Sequence, residues 1–561
     1  MMKKYFKLGK FLFEYNRLFF FLFTFGCLIA IILESLTVLS LYPVGLSLID
    51  QNYLGKFTFI NHFDFTLKQY LLIFFSLIIF KVIYLNVFSY FKNKYIYNFG
   101  SDISKILYKN YINRSLKDVM SINSSEIIRN LYNEVNQFTA GLNVFFVILI
   151  ETLISLSLII LLAFSDLLAT TFLFGSLAVI CFIYLLLVVP TIIKLSKHQI
   201  NITEKIIRSI QETFDLFKII KITKKEQLFE KNYNKSLDFF NSVRAKSMFL
   251  YEIIKNISDI FLIIILLIPF SYFVFIKNLP FLEALPILSI FVFASTKIFP
   301  SIIRISTSLQ SFNASYVSIE LIMKEINFKI SQSDFKNDND NTKFIVESDI
   351  QIKDLNFKYD IGKKIFSNLD LVIKKNQLNY IFGGSGTGKT SLINIISCLI
   401  KPISGSMIVN NVDIFNSNLL IKDKWMSSIG YISQDSVLAS ASILENITLF
   451  EKSYDKVRLN EAIKLANLND FINSLDDGIF HQVGESGDKL SGGQKQRINI
   501  ARALYHSPSI LICDEITSFL DDKNKHEIIS EIKKLKKYLT IILISHDDDL
   551  RNYSDNMIDL N

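Results

Sequence analysis

At 561 residues the chain has room for several domains, and a hydrophobic fraction of 50% with a mean hydropathy of +0.35 excludes a wholly soluble protein. Its four cysteines, Cys27, Cys181, Cys398 and Cys513, sit inside apolar runs without C-x-x-C spacing, which argues against both a disulfide framework and a metal site. The net charge of +8 is spread along the chain and gathers between hydrophobic runs, so membrane topology accounts for it and no nucleic-acid partner is expected.

The start, MMKKYFKLGK, is basic and amphipathic. The apolar stretch after it, Leu18 to Ile49, is too long for a signal-peptide core and is expected to stay in the membrane as a helix. Further apolar stretches run from Tyr70 to Phe91, Gly141 to Phe164, Leu167 to Pro190, Ile257 to Ile276 and Phe281 to Ile303, giving six expected spans. Only Ser165 and Asp166 separate the third from the fourth, which demands a tight turn. Basic residues crowd the amino end, Lys92 to Arg129 and Ile192 to Lys255, whereas the other loops are poor in them, so both chain ends are expected in the cytoplasm.

The two long cytoplasmic connections keep helical periodicity without Pro or Gly breaks, so spans two to five are expected to continue as helices beyond the bilayer; a soluble insertion with its own core is the alternative. Short polar breaks near Ser121 to Ser125 and Asp215 to Lys218 are where a transverse helix would touch another domain. After span six a helix is expected to about Ile330, and SQSDFKNDNDNTK then loses all apolar periodicity. The expected division is a membrane domain over residues 1–330, a linker over 331–343 and an α/β domain over 344–561.

The α/β domain is organised around YIFGGSGTGKTS, Tyr380 to Ser391. An apolar strand enters Gly383, and four residues later come Gly388, Lys389 and Thr390, followed by a helix. This is a phosphate-binding loop: glycines let backbone N–H groups turn inward, the helix terminus faces the anion, Lys389 reaches the β- and γ-phosphates and the Thr390 hydroxyl can ligate Mg²⁺. Downstream, SILICDE is a buried strand ending in two carboxylates, with Asp514 suited to the Mg²⁺ shell and Glu515 to polarising the attacking water. Between them, LSGGQKQR places Ser491, Gly492 and Gly493 before a second helix with free N–H groups. One domain cannot easily aim both anion sites at the same nucleotide; two copies facing head to tail can.

Together, GGSGTGKT, LSGGQ and ILICDE resemble the nucleotide-binding domain of the ATP-binding cassette superfamily, and the six spans with long cytoplasmic extensions resemble its fused exporter-type half-transporters. The fold so implied is an α-helical membrane domain of six transmembrane helices, type IV exporter-like, fused to an α/β P-loop NTPase domain. The resemblance implies ATP and Mg²⁺ as ligands, with Thr390, Gln434 and Asp514 at the metal and Glu515, Gln434 and His546 as the hydrolytic set. It implies nucleotide contacts from Tyr359 as the adenine-stacking aromatic, from Gly383, Gly384, Ser385, Gly386, Thr387, Gly388, Lys389, Thr390 and Ser391, and from the D-loop Asp521. Ser491, Gly492, Gly493 and Gln494 are implied to meet the γ-phosphate held by the opposite subunit, in a homodimer with two ATP sites. Phe519 and Ile516 replace alanines usual in the family, and the chain stops at MIDLN without the usual closing hairpin and helix; every phosphate-handling position survives, so hydrolysis is still expected.

In the membrane half, charges within spans flag function: Glu34, Lys81, Glu151, Lys297 and Arg304, with pairing between helices or snorkelling as the plainer reading. Spans one, two and six, with the short segment LGKFTFINHF, are similar to the lipid-linked oligosaccharide flippases of bacterial protein glycosylation. That likeness implies a polyprenyl-diphosphate glycan as substrate, Lys81, Lys297 and Arg304 as the residues meeting its diphosphate, and the bacterial inner membrane as location. Glu252 and Lys255 stand at the start of span five, where the family's basic set is lost or displaced. Exporters of lipid A, peptides or drugs, and a regulatory or channel-like cassette protein, are the alternatives.

Overall fold

The computed structural model describes residues 2–46, 66–120, 122, 124–278, 280–326, 343–359, 364–384, 386–434, 436–484, 487–516 and 522–560. The chain forms two compact units, one of Met1–Asn110 and Ser124–Phe328, the other of Tyr111–Asn123 and Lys329–Asn561.

The first unit is helical: α1 (Met2–Tyr15), α2 (Arg17–Leu39), α3 (Leu41–Leu46), α4 (Leu67–Ile112), α5 (Val135–Ser165), α6 (Leu167–Asp215), α7 (Phe217–Thr223), α8 (Glu226–Ser271) and α9 (Phe281–Ile326). Asn16 separates α1 from α2 and caps the latter, its side chain accepting from the Phe19 amide at 3.0 Å. The first expected span is not one helix: α2 ends at Leu39, a turn at Ser40 intervenes, α3 resumes, and residues 47–49 lie outside the described set. Pro43 has no N–H for the Leu39 carbonyl four residues back and its ring crowds that carbonyl, which ends α2 at Leu39; the Ser40 hydroxyl donates to the Thr37 carbonyl at 2.9 Å.

Asp166 alone makes the tight turn between α5 and α6. It is extended (φ −158°, ψ 110°), accepts from the Ala169 amide at 3.0 Å to cap α6, and pairs with Lys277. Helices α4, α6 and α8 run 46, 49 and 46 residues, far longer than the roughly 20 a bilayer needs. Among the described residues four helical stretches are long and apolar enough to cross a membrane: Arg17–Gly45, Leu67–Ile112, Glu126–Ser165 and Ala284–Asn313. Expected spans four and five fall on α6 and α8, where side chains 176–189 and most of 253–266 lie outside the described set, as does that of Lys255.

The second unit holds two sheets. The antiparallel one has the order β2-β1-β4-β5, from β1 (Ile350–Phe357), β2 (Phe366–Ile373), β4 (Ser404–Val409) and β5 (Val412–Asp413). The other is parallel, in the order β6-β7-β8-β3-β9, from β3 (Leu378–Phe382), β6 (Ile429–Ile432), β7 (Ile510–Asp514), β8 (Thr540–Ile544) and β9 (Asn556–Asp559). Strands β7 and β8 are buried at every position, which is why they read as unbroken apolar runs rather than alternations. The helices used below are α10 (Lys389–Ile396), α11 (Gly492–Tyr505) and α12 (Asp522–Leu535). Leu116, the first residue of a short helix (Leu116–Met120) between α4 and α5, packs against this unit's core, so the chain near the first polar break belongs to the second unit.

Candidate functional site

The strand order decides the site. Ligands of parallel sheets bind beyond the carboxyl ends of the strands, and the adjacent strands β6, β7, β8 and β3 end, respectively, just before Gln434, at Asp514–Glu515, just before His546 and just before the loop Gly383–Gly388. Residues far apart in sequence therefore meet along one edge.

The loop after β3 turns through Gly386 (φ +84°) and Gly388 (φ +96°), backbone that an L side chain strains to adopt. Gly388 is also the residue before α10, and a Cβ there would lie 2.4 Å from Ile365 Cγ2. Lys389 is buried and folds back over the loop, its Nζ donating to the carbonyls of Gly383 (2.8 Å) and Gly384 (2.9 Å). Burial pulls its pKa below the usual lysine value, with the Glu515 and Asp514 carboxylates acting against that shift. Thr390 is exposed beside it, and Ser385 lies outside the described residues.

Glu515 is held from two sides. Gln434 Nε2 donates to its Oε2 at 2.7 Å, and His546 Nε2 lies 2.9 Å from its Oε1. Lys389 Nζ stands 3.3 Å from His546 Nδ1. An ammonium has only protons to give, so Nδ1 accepts and Nε2 carries the proton donated to Glu515. Lys389, His546, Glu515 and Gln434 thus form one hydrogen-bonded chain. Glu515 itself has φ +49°, uncommon for a residue with a side chain, and its amide donates to the Ile544 carbonyl at 3.0 Å, tying the turn after β7 to the end of β8.

Asp514 is buried, and the Tyr431 hydroxyl donates to its Oδ2 at 3.1 Å. Desolvation raises its pKa; the neighbouring Glu515 charge adds to the rise, and Tyr431 and Lys389 oppose it. A carboxylate disfavoured in this way is stabilised by a cation placed against it.

Tyr359 is half-buried, its hydroxyl 3.2 Å from Ser391 Oγ and its ring edge-on to Phe357 at 5.0 Å. With Lys117, Lys358 and Lys401 it lines a cavity of ≈ 300 Å³. The LSGGQ segment stands apart. Ser491 caps α11, which begins at Gly492, so the two glycines are the helix's first residues rather than a lead-in to it. Ser491 Oγ accepts from the Gln494 amide at 3.3 Å, and Gln494 Oε1 accepts from the Ser491 amide at 2.9 Å, a capping box that the S-x-x-Q spacing already encodes. Ser491 and Gly492 are exposed, a Cβ on Gly493 would meet nothing within 4 Å, and among the described residues no bond joins this segment to the loop after β3. Asp521 lies outside the described residues.

Two contributors escaped the sequence reading. Tyr431 reads as an ordinary strand aromatic, and Lys525 as a surface lysine; yet Lys525 is buried and pairs with Asp547, the residue after His546, whose carbonyl accepts from the Tyr380 hydroxyl at 2.8 Å.

The charges of the membrane half are largely paired. Lys81 and Glu34, 5% and 6% exposed, lie with Nζ 3.2 Å from Oε2, and Lys81 Nζ is 3.5 Å from Thr37 Oγ1. Arg304 grips Glu151 through Nε–Oε1 (2.7 Å) and Nη2–Oε2 (2.9 Å). Lys297 sits 5.7 Å from the centre of the Phe293 ring and has no carboxylate partner among the described residues.

The ABC transporter family model matches residues 366–518. A putative export ATP-binding/permease protein of Rickettsia typhi is 29% identical over 489 residues, 83% of this chain and 81% of that protein. An uncharacterized ABC transporter ATP-binding protein of Sinorhizobium fredii is 38% identical over 211 residues, 37% of this chain and 35% of its own length. A leukotoxin translocation ATP-binding protein of Mannheimia glucosida is 40% identical over 203 residues, so the match spans 36% of this chain and 28% of that relative. Among solved structures, a bacterial Atm1-family ABC exporter with ATP bound has the same fold, with a TM-score of 0.72 over 96% of this chain and 93% of that one at 19% identity.

Proposed function

We propose that this chain, an ABC transporter polypeptide with an exporter-type fold and an ABC ATPase domain, is one half of a homodimeric ATP-driven exporter or flippase. The observation that carries the reading is the hydrogen-bonded chain Lys389–His546–Glu515–Gln434 at the carboxyl edge of the parallel sheet, which presents one carboxylate beside one phosphate loop.

In the proposed reaction, Lys389 leaves the Gly383 and Gly384 carbonyls for the phosphates and Tyr359 stacks on the base. Glu515 accepts a proton from the water that attacks the terminal phosphorus, the bond to the leaving diphosphate breaks, and His546 and Gln434 keep the carboxylate aimed. The donors suit Mg²⁺: the Thr390 hydroxyl and the buried Asp514 carboxylate are hard oxygens, too few for a protein-only cage but right for an ion that keeps water and phosphate oxygens. Such an ion neutralises charge developing on the phosphate oxygens. The exposed Ser491–Gly492 end of α11 is assigned to a nucleotide held by a second copy, with Gly493, Gln494 and the D-loop Asp521 at the seam, because within one copy it does not meet the loop.

For cargo we propose a polyprenyl-diphosphate glycan moved across a bacterial inner membrane, with both chain ends cytoplasmic. The support is the distribution of basic residues and the cations of α9, Lys297 and Arg304. The carboxylate grips on Lys81 and Arg304 favour a second reading, in which those cations are structural and the cargo is lipid A, a peptide or a drug. The test is transport of lipid-linked sugars into vesicles containing the purified chain, alongside Glu515→Gln. The variant should retain ATP but lose phosphate release, and unchanged release would reject the role given to Glu515. Transport of no lipid-linked sugar by an ATPase-active preparation would reject the cargo alone.

A further inference from the structure

Helix α1 does not close against its neighbours along its whole length. Between it, the start of α2, the middle of α5 and the second half of α9 lies a cavity of ≈ 630 Å³ with walls almost wholly of carbon, among them Phe13, Phe20, Phe145 and Leu309. That volume lies within the roughly 300–1,000 Å³ of sites that take small ligands.

Two independent features say what belongs there. The first is charge. Residues 1–17 carry five basic side chains against one acidic, Lys10 itself lines the cavity, and the Arg17 guanidinium stands 5.6 Å from the centre of the Phe13 ring. Lys10 pairs with Glu14 at 3.7 Å, but both are well exposed, and a pair so open to water and salt contributes little, so an anion can displace the carboxylate. The second is the wall itself: Tyr5, its ring stacked on Phe312 at 4.2 Å, lines the cavity with Phe13, Phe20 and Phe145, an apolar surface suited to an acyl chain. An apolar chain accounts for the walls and a phosphate for Lys10 and Arg17.

We infer that this cavity is a binding site for an anionic glycerophospholipid of the surrounding bilayer. One acyl chain lies against Phe13, Phe20 and Phe145, and the phosphate lies at the basic rim. The site is separate from the nucleotide chemistry and does not depend on the cargo proposed above.

Native mass spectrometry of the delipidated full-length protein, given phosphatidylglycerol or phosphatidylcholine, tests this. The wild type should retain phosphatidylglycerol at least five-fold better. Gly9→Leu fills the cavity: a Cβ at Gly9 would stand at an ordinary 3.7 Å from Phe145 Cζ, so the helix need not move. That variant should lose both lipids while its basal ATPase rate stays unchanged. Lys10→Gln with Arg17→Gln should keep lipid uptake and lose the preference for phosphatidylglycerol. Equal retention of the two lipids by the wild type, or undiminished retention by Gly9→Leu, would overturn the inference. So would a wild type that takes up no lipid while Gly9→Leu falls apart into single chains, because a second copy would then be the occupant.

Discussion

The Glu34–Lys81 pair joins two apolar helices through charges that are each about 5% exposed, and it offers the sharpest test of how the membrane half is built. At the observed 3.2 Å, the bare attraction is about 5 kcal/mol for an effective dielectric near 20. Desolvation costs several kcal/mol per ion, so the pair as a whole stabilises little, whereas removing one member strands the other at about 3–5 kcal/mol. Lys81→Met should therefore lower the apparent melting temperature of the detergent-solubilised protein by several degrees. Glu34→Gln should do less harm, since Thr37 Oγ1, 3.5 Å from the ammonium, remains as a partner. The double variant should return most of the loss, giving a coupling of about 2 kcal/mol or more in the thermodynamic cycle. Additive single losses would refute the reasoning. The double variant also bears on cargo: if Lys81 meets a diphosphate, substrate stimulation of its ATPase should vanish although stability has returned.

Gly388→Ala places a Cβ at φ +96° against Ile365 and Phe366, a strain of about 1–3 kcal/mol that the loop can relieve only by opening; nucleotide affinity should fall about 10- to 100-fold in a fluorescent-ATP titration. Lys297→Ala should weaken stimulation by a polyprenyl-diphosphate glycan while leaving thermal stability unchanged, whereas Arg304→Ala should lower both because it strands Glu151; equal effects on both readouts would contradict the pairing. Burial holds the His506 pKa below its usual value, with Glu451 acting in the opposite sense. The unfolded chain therefore binds the proton first as pH falls through about 6.5, and folded-state stability drops from there down to the depressed value. His506→Gln should flatten the melting-temperature profile of the protein between pH 7 and 5, and an unaltered profile would remove His506 as the cause.

Much of the candidate site was legible because its grammar is local. Gly383 to Thr390 needs a strand before and a helix after, and β3 and α10 supply them; Asp514 and Glu515 need a buried apolar strand, and β7 is one. What could not be read are the bonds that strand order creates. Glu515 and Gln434 are 81 positions apart, and only the adjacency of β6 and β7 brings them together. Lys81 and Glu34 are 47 apart and Arg304 and Glu151 are 153 apart, on helices whose sequences carry no mark of their partner. The break of the first span at Ser40 is announced by Pro43, which has no N–H to give the Leu39 carbonyl four residues back. The S-x-x-Q capping box is encoded in the sequence and gives the segment the plainer role of starting α11.

The contrast between the two halves separates charges that hold the fold from charges that await a ligand. Glu34 has Lys81, Glu151 has a bidentate Arg304 and Asp166 has Lys277: each acid meets a base, and each pair is complete within the chain. The carboxyl edge of the parallel sheet breaks that pattern. Lys389 gives its protons to backbone carbonyls of the loop it guards and to a neutral imidazole, and the hydrogen bond to the buried Asp514 carboxylate comes from a phenol. Partners of this kind compensate a buried charge incompletely, which is why both groups are shifted toward their neutral forms. A triphosphate with its cation supplies the two missing counter-charges together. Its binding should therefore draw Lys389 off the loop, free His546 Nδ1 and leave Glu515 to the water, so that the same step that satisfies the electrostatics arms the carboxylate.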